Sequence, residues 1–294
     1  MLAFLFSCQE RKALPPAIDA TKVKVNGSST VYPITAGVIE KYRFSYNDLR
    51  FTIGVAGTGG GFKKFAAKKT LLNNASRLIK DKEKVECEKN EVDYFLFDIA
   101  YDGIAVVVNI ENDWVDYLTI TELRKIWRHN GAIKWSEVRD GWPEEKIVKL
   151  GPGDASGTYD YFKKAVLKED TMSQNYLKSE NDFLLIEGVK DEKNAITFFG
   201  LGYYKENKRS LKLVSIDNGS GPIKPTNASI AEEKYQPLSR KLYVYVERDF
   251  CLSSKGKQFM SFYMDHAKEI VEQTGYVPLV ENTYQKHISL ITKI

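Results

Sequence analysis

The chain has 294 residues, 43% hydrophobic and 28% charged, the proportions of a soluble globular protein long enough for about two lobes. Lys and Arg number 43 against 39 Asp and Glu, and this small excess is dispersed, which argues against a nucleic-acid surface. After the N-terminus no stretch reaches the roughly 18 apolar residues that would span a membrane.

In chain order, "MLAFLFSCQE" comes first: an apolar run ending in a small residue, then Cys8 and a polar stretch. It is similar to the end of a bacterial lipoprotein signal, with Leu5-Phe6-Ser7 preceding a cysteine that is lipidated, although the run is short and lacks a basic start. The alternative is an apolar tail with an incidental cysteine. "QERKALPPAIDATK" then reads as a tether, because Pro-Pro and mixed charge do not pack.

Strand and helix signals alternate from there, which predicts an α/β protein with largely parallel sheets. "KVKVNG" is a strand, and Val31, Ile34, Val38 and Tyr42 share one face of the next helix. "RFTIGVAG" is a strand followed by a helix through Phe62 and Phe65, and 80–90 is a charged helix. "YFLFDIA" and "GIAVVVN" are apolar, β-branched runs typical of buried strands. "LTITELRKIW" carries a capping box, Thr119 with Glu122. "EKIVKLG", "AITFFG", "LKLVSID" and "RKLYVYV" are further strands, and a long helix ends at Gly275. Lys63, Lys64, Lys68 and Lys69 read as a solvated helix face. Cys87 and Cys251 could pair in an oxidising compartment, a question the spacing leaves open.

One device recurs. "VNGSSTVYPI" at 25–34 places Gly, two Ser and Thr where a strand hands over to a helix, whose unpaired N–H groups and dipole can hold an anion. An ordinary N-cap is the plainer account of that stretch alone. "GTGGGFKKF" at 57–65 is a second such turn, with glycines that let a backbone approach a ligand closely. "NNASR" at 73–77 adds Ser76 and Arg77, and "DASGTY" at 154–159 adds Ser156, Gly157 and Thr158. Four such turns suit one tetrahedral oxyanion.

Together with "AYDGIAVVVN", "NDWVDYLTITELRKIW", "GPGDASGTYDYF", "TFFGLGYY", "YQPLSRKLYVYV" and "TGYVPL", these stretches resemble, in order from 23 to 280, the phosphate-binding proteins of bacterial ABC transporters. The resemblance implies a type II periplasmic-binding-protein fold, two lobes of mostly parallel sheet and flanking helices closing on the ligand. It places a signal remnant and tether at 1–21, one lobe at 22–101 plus 245–294 and the other at 102–244, with crossings near 100–108 and 240–247. Carried over, Ser29, Thr30 and the backbone of Val31, then Thr58 and Gly59, then Ser76 and Arg77 would meet phosphate from one lobe. Asp154, Ser156, Gly157 and Thr158 would meet it from the other. One branch of the family has aspartate after the serine matching Ser76 and arginine four residues before that matching Ser156. Here those places hold Arg77 and Pro152, so Arg77 is the expected cation. Asp154 and Asp102 stay open as the carboxylate that accepts the phosphate proton.

The implied partners are inorganic phosphate and the permease subunits of a transporter, with the membrane touched only through a lipid anchor at Cys8. A monomer in the periplasm or at the cell surface is expected, without metal or cofactor. No nucleophile, zincin or P-loop motif occurs, and His129, His266 and His287 are scattered, so an enzyme is not expected. The four tryptophans sit in apolar contexts and read as core. Another oxyanion, or a sensing or adhesive role on the same fold, remains the alternative.

Overall fold

A computed structural model describes residues 21–293 except 155 and 180, so the expectations for Cys8 and nearly all of the tether lie outside the described residues. The first stretch runs β1 (Lys22–Gly27), α1 (Tyr32–Ser45), β2 (Arg50–Ile53), α2 (Gly57–Ala66), β3 (Leu72–Ala75) and α3 (Asp81–Lys89). A long strand, β4 (Tyr94–Asn109), leads to β5 (Tyr117–Thr119), α4 (Ile120–Trp127), α5 (Trp135–Val138) and β6 (Val148–Pro152). Then come α6 (Gly157–Phe162), a π-helical turn (Lys163–Leu167), β7 (Leu177–Ser179), α7 (Asp182–Asp191), β8 (Ala195–Gly200) and α8 (Leu201–Asn207). Short strands β9 (Leu211–Leu213), β10 (Ser215–Asp217) and β11 (Pro222–Ile223) precede α9 (Asn227–Ala231). The chain finishes with β12 (Ser239–Glu247), α10 (Arg248–Leu252), α11 (Ser254–Gln273), β13 (Val277–Pro278) and α12 (Glu281–Lys293).

The main sheet has the order β2-β1-β3-β12-β4-β8-β6-β7, with β9 and β13 also on β4. Its pairs β1–β2, β1–β3, β6–β7 and β6–β8 are parallel, and every antiparallel pair involves β4 or β12. The two apolar runs expected as separate strands are one: residues 94–103 of β4 pair with β12, and 104–108 pair with β8. From Ile99 to Asn109 every residue is buried, and the one charged side chain among them, Asp102, is paired with Arg240 of β12, so the strand runs on unbroken. At the crossing, a Cβ on Gly103 would stand 2.6 Å from Ile230 Cδ1, so the small residue admits the neighbouring helix.

Alternation in β1 buries Val23 and Val25 in the main core with Ile34, Val38 and Tyr42 of α1 and Phe259 and Tyr263 of α11. A smaller cluster joins Phe62, Phe65 and Ala66 of α2 to Ala75, Cys87 and Tyr245. Trp127, fully buried, meets Phe162, Tyr176 and Phe198 edge-on, and Trp135 is buried too, which meets the expectation for both. The capping box at Thr119 is present: Glu122 N donates to Thr119 Oγ1 at 3.1 Å, and Thr119 N to Glu122 Oε2 at 2.8 Å. Cys87 and Cys251 are both buried and free, lying in different clusters, so the disulfide left open by the sequence is not formed.

Candidate functional site

The first two turns are helix starts without a side-chain cap. No side chain accepts from the first turn of α1 at Val31 or of α2 at Ala56, which leaves donors there for another acceptor. Gly57 has φ +68°, a backbone state that other residues adopt at a cost. Val31 is fully buried, so only its backbone can face a ligand. The "NNASR" stretch is a strand end: Ser76 follows β3, donates its backbone N–H to Thr58 Oγ1 at 3.1 Å, and has its own hydroxyl 3.1 Å from the same oxygen.

The last turn is built differently. Ser156 is the N-cap of α6, its Oγ accepting from Thr158 N at 3.1 Å and Tyr159 N at 3.4 Å. Both lone pairs are then used, and the hydroxyl proton is what remains to donate. Gly157 lies directly against the first turn: a Cβ there would be 3.0 Å from Thr30 Oγ1 and 3.3 Å from Ser29 Oγ. That contact separates two openings. A cavity of about 560 Å³ is lined by Ser29, Thr30, Thr58, Gly59, Ser76, Arg77 and Gly157 of the expected set, and by Lys80, Lys164, Arg240 and Lys241. A cavity of about 420 Å³ shares Ser29, Thr30 and Gly157 but is lined by Thr158, Asp102 and Glu206. An oxyanion suits the first, whose lining has five cations and one carboxylate, Asp160; three of the cations, Arg77, Arg240 and Lys241, also pair with carboxylates outside the lining, Glu83, Asp102 and Glu233.

Two expected residues have other partners. Arg77 forms a bidentate pair with Glu83, Nη1 and Nη2 each 2.8 Å from a carboxylate oxygen, and Nη1 also donates to Leu78 O. Burial alone would raise the Glu83 carboxyl, but hydrogen bonds from Arg77 and the Lys80 amide outweigh it and hold it below its usual range. Arg77 thus borders the cavity with its charge already balanced. Asp154 is exposed, with Lys178 Nζ 3.2 Å from both carboxylate oxygens.

The cation nearest the first turn comes from the crossing strand. Arg240 of β12 donates through Nε and Nη2 to Asp102 Oδ2, at 3.1 and 3.0 Å, and through Nη2 to Thr30 Oγ1 at 3.2 Å. Its guanidinium carbon stands 3.9 Å from the centroid of the Tyr161 ring. Tyr161 is fixed by its hydroxyl donating to Pro237 O at 2.7 Å, and burial pushes that phenol far above its usual range. Held on three sides, the guanidinium keeps Nη1 without an acceptor among the described residues. Sequence reasoning searched only the four turns for a cation and missed this one. The signal was present in the expected crossing at 240–247, whose first residue is Arg240.

A chain with two α/β halves sharing crossing strands, and small polar turns meeting at a cleft, has the build of a periplasmic binding protein. The family model described as the PBP superfamily domain matches residues 15–266, and the chain belongs to that family. The fold is the two-lobe type II form expected from the sequence. Among its relatives, Protein SphX of Synechocystis sp. is 36% identical over 277 residues, covering 92% of this chain and 82% of the relative. The phosphate-binding protein PstS of Staphylococcus haemolyticus is 36% identical over 276 residues, covering 92% and 85%. A solved structure of a possible phosphate binding protein from Planctomyces limnophilus is 36% identical, with a TM-score of 0.83 over 92% of this chain and 98% of that one. The fold is shared too with an ABC-type phosphate transport receptor from Vibrio cholerae, at 23% identity, TM-score 0.72, and 87% and 99% coverage.

Proposed function

We propose that this protein captures inorganic phosphate outside the cytoplasm and delivers it to the permease of an ABC transporter. The observation that carries the reading is Arg240, oriented by Asp102 and Tyr161 with Nη1 left over, beside the uncapped turn at Thr30. A guanidinium gives two parallel hydrogen bonds to two phosphate oxygens, which a compact ammonium does not match. Thr30, the backbone of Val31, Thr58, Gly59 and Ser76 complete the site from the lobe 22–101 plus 245–294. Gly157 and the Ser156 hydroxyl close from the lobe 102–244. Arg77 stands at the rim, paired with Glu83, and Thr158 stands behind Gly157 in the second cavity.

Monohydrogen phosphate keeps a proton and needs an acceptor, whereas sulfate needs donors only. Asp102 is the acceptor in this reading: it lines the smaller cavity, but its partner Arg240 lines the larger one and Thr30 lines both, its side chain is 9% exposed, and only Oδ2 is taken by Arg240. Asp154, exposed and paired with Lys178, has no such role. The protein is a monomer held to a membrane through lipidated Cys8.

Calorimetric titration with phosphate, arsenate and sulfate tests the reading. Phosphate and arsenate should bind and sulfate should not, and Asp102→Asn should narrow that difference. Sulfate binding as tight as phosphate would replace phosphate with a broader class of oxyanion.

A further inference from the structure

We infer that the end of the first lobe where the chain enters β1 is a docking surface for an anionic lipid bilayer. The inference rests on the reading of the chain as membrane-tethered through residues before Thr21, but its test does not use the lipid anchor.

Four contacts bring this surface together. Thr21 O accepts from Arg50 N at 2.7 Å, and Lys22 and Arg50 are register partners at the start of β1 and β2. The connection from α1 to β2 therefore lies beside the point where residues 1–20 join. The last turn of α1 carries Phe44, which at 85% is the most exposed large hydrophobic side chain among the described residues, and the connection carries exposed Tyr46. Lys24 O accepts from Leu71 N at 2.9 Å, which sets the turn bearing exposed Lys68 and Lys69 at the same end. Lys255 Nζ reaches Asp48 O at 3.2 Å and adds the start of α11.

This end of the sheet thus carries Lys22, Lys24, Arg50, Lys68, Lys69 and Lys255 together with Phe44 and Tyr46. Two carboxylates at this end accept hydrogen bonds from other groups: Asp48 from the Tyr42 hydroxyl, and Glu247 from Asp249 N and Phe250 N, which it caps. The Tyr46 ring stacks on Tyr42, and Phe44 is the ring that projects; cations around a projecting aromatic side chain suit an interface of anionic headgroups over acyl chains. Placement agrees with the tether. Thirteen steps separate Cys8 from Thr21, a reach of about 45 Å when fully extended. The cleft lies at the other ends of the same strands, where β1 leads into Ser28–Val31, so seating this end on a bilayer leaves the cleft uncovered.

The test is co-sedimentation of the full chain carrying Cys8→Ser with vesicles of phosphatidylcholine, with and without phosphatidylglycerol. The protein should sediment with the anionic vesicles only, and less as salt rises. Lys24→Glu with Lys69→Glu should lower partitioning about tenfold or more, and Phe44→Ser several-fold. Lys208→Glu with Lys234→Glu changes net charge equally on the other lobe and should leave partitioning nearly unaltered. Phosphate titration of each variant checks its fold. Equal binding to both vesicle types, or an equal loss from the Lys208 and Lys234 pair, overturns the inference. Loss of phosphate binding by the parent protein would instead overturn the functional reading and leave this result standing.

Discussion

Arg240 and Asp102 are register partners on β12 and β4, and one Asp102 oxygen accepts from two nitrogens of the guanidinium, at 3.1 and 3.0 Å. The same guanidinium reaches Thr30 at the first helix start. A single side chain therefore ties the crossing strands to the turn expected to hold the anion. Its removal acts on two quantities, the charge offered to the ligand and the charge left on a nearly buried carboxylate.

Arg240→Ala should lower phosphate affinity ten- to a hundred-fold, about 1.5–3 kcal/mol for a lost charge-assisted hydrogen bond. Stability should fall as well, because Asp102 loses its partner away from water. Arg240→Lys should recover part of both. Arg77→Ala should cost less affinity, since Glu83 already balances Arg77. Calorimetry on the three variants decides: a larger loss from Arg77→Ala than from Arg240→Ala would return the main cationic role to Arg77.

Gly157 measures how closely the start of α6 must meet the first turn. An added Cβ would press on Thr30 Oγ1 at 3.0 Å, tighter than ordinary contact. Gly157→Ala should weaken phosphate binding by about 1 kcal/mol, and Gly157→Val by about 1–3 kcal/mol through overpacking. Small-angle scattering should show the parent contracting with phosphate and the valine variant contracting less. Equal contraction by both would mean that this contact does not limit closure.

Acid stability should depend on the last helix. His287 Nε2 of α12 donates to Asp98 Oδ1 of β4 at 2.6 Å, and this hydrogen bond, outweighing burial, holds the Asp98 carboxyl below its usual range. A carboxyl lowered by folding contributes stability that is complete above its unfolded pKa, about 3.9, and is lost as pH falls through the folded value. His287→Ala should therefore cost on the order of 1 kcal/mol at pH near 6, and the gap should close on acidification below about pH 4. Urea unfolding midpoints across that range provide the check; a gap that widens in acid would contradict the assignment.

The two buried cysteines should be inert in the native state. Burial pushes each thiol up to about 11, and neither is bonded. In the Cys8→Ser chain, a thiol reagent should label Cys87 and Cys251 on unfolding and hardly at all before it. A reductant should leave the unfolding temperature unchanged. A downward shift on reduction would reveal a disulfide.

Much of the architecture is legible in the sequence because its signals are local. A capping box spans four residues, and a strand entering a helix through Gly, Ser and Thr is a short-range pattern, so Thr119 with Glu122 and the turns at 28–31 and 57–59 could be placed directly. Buried Trp127 and Trp135 follow from apolar surroundings in the same way. What a side chain touches across the fold is not local. Arg240 and Asp102 lie 138 positions apart, and only the register of β12 on β4 makes them neighbours. That register assigns the cation beside Thr30 to Arg240, while Glu83, at the start of α3, turns Arg77 into an ion pair. Ser156 reads as a ligand from sequence, and the direction of α6 makes its oxygen the cap of that helix. Backbone preference acts within a turn or two, whereas the charge balance of a cleft depends on which strands are paired and in what register, and that is decided only when the chain has packed.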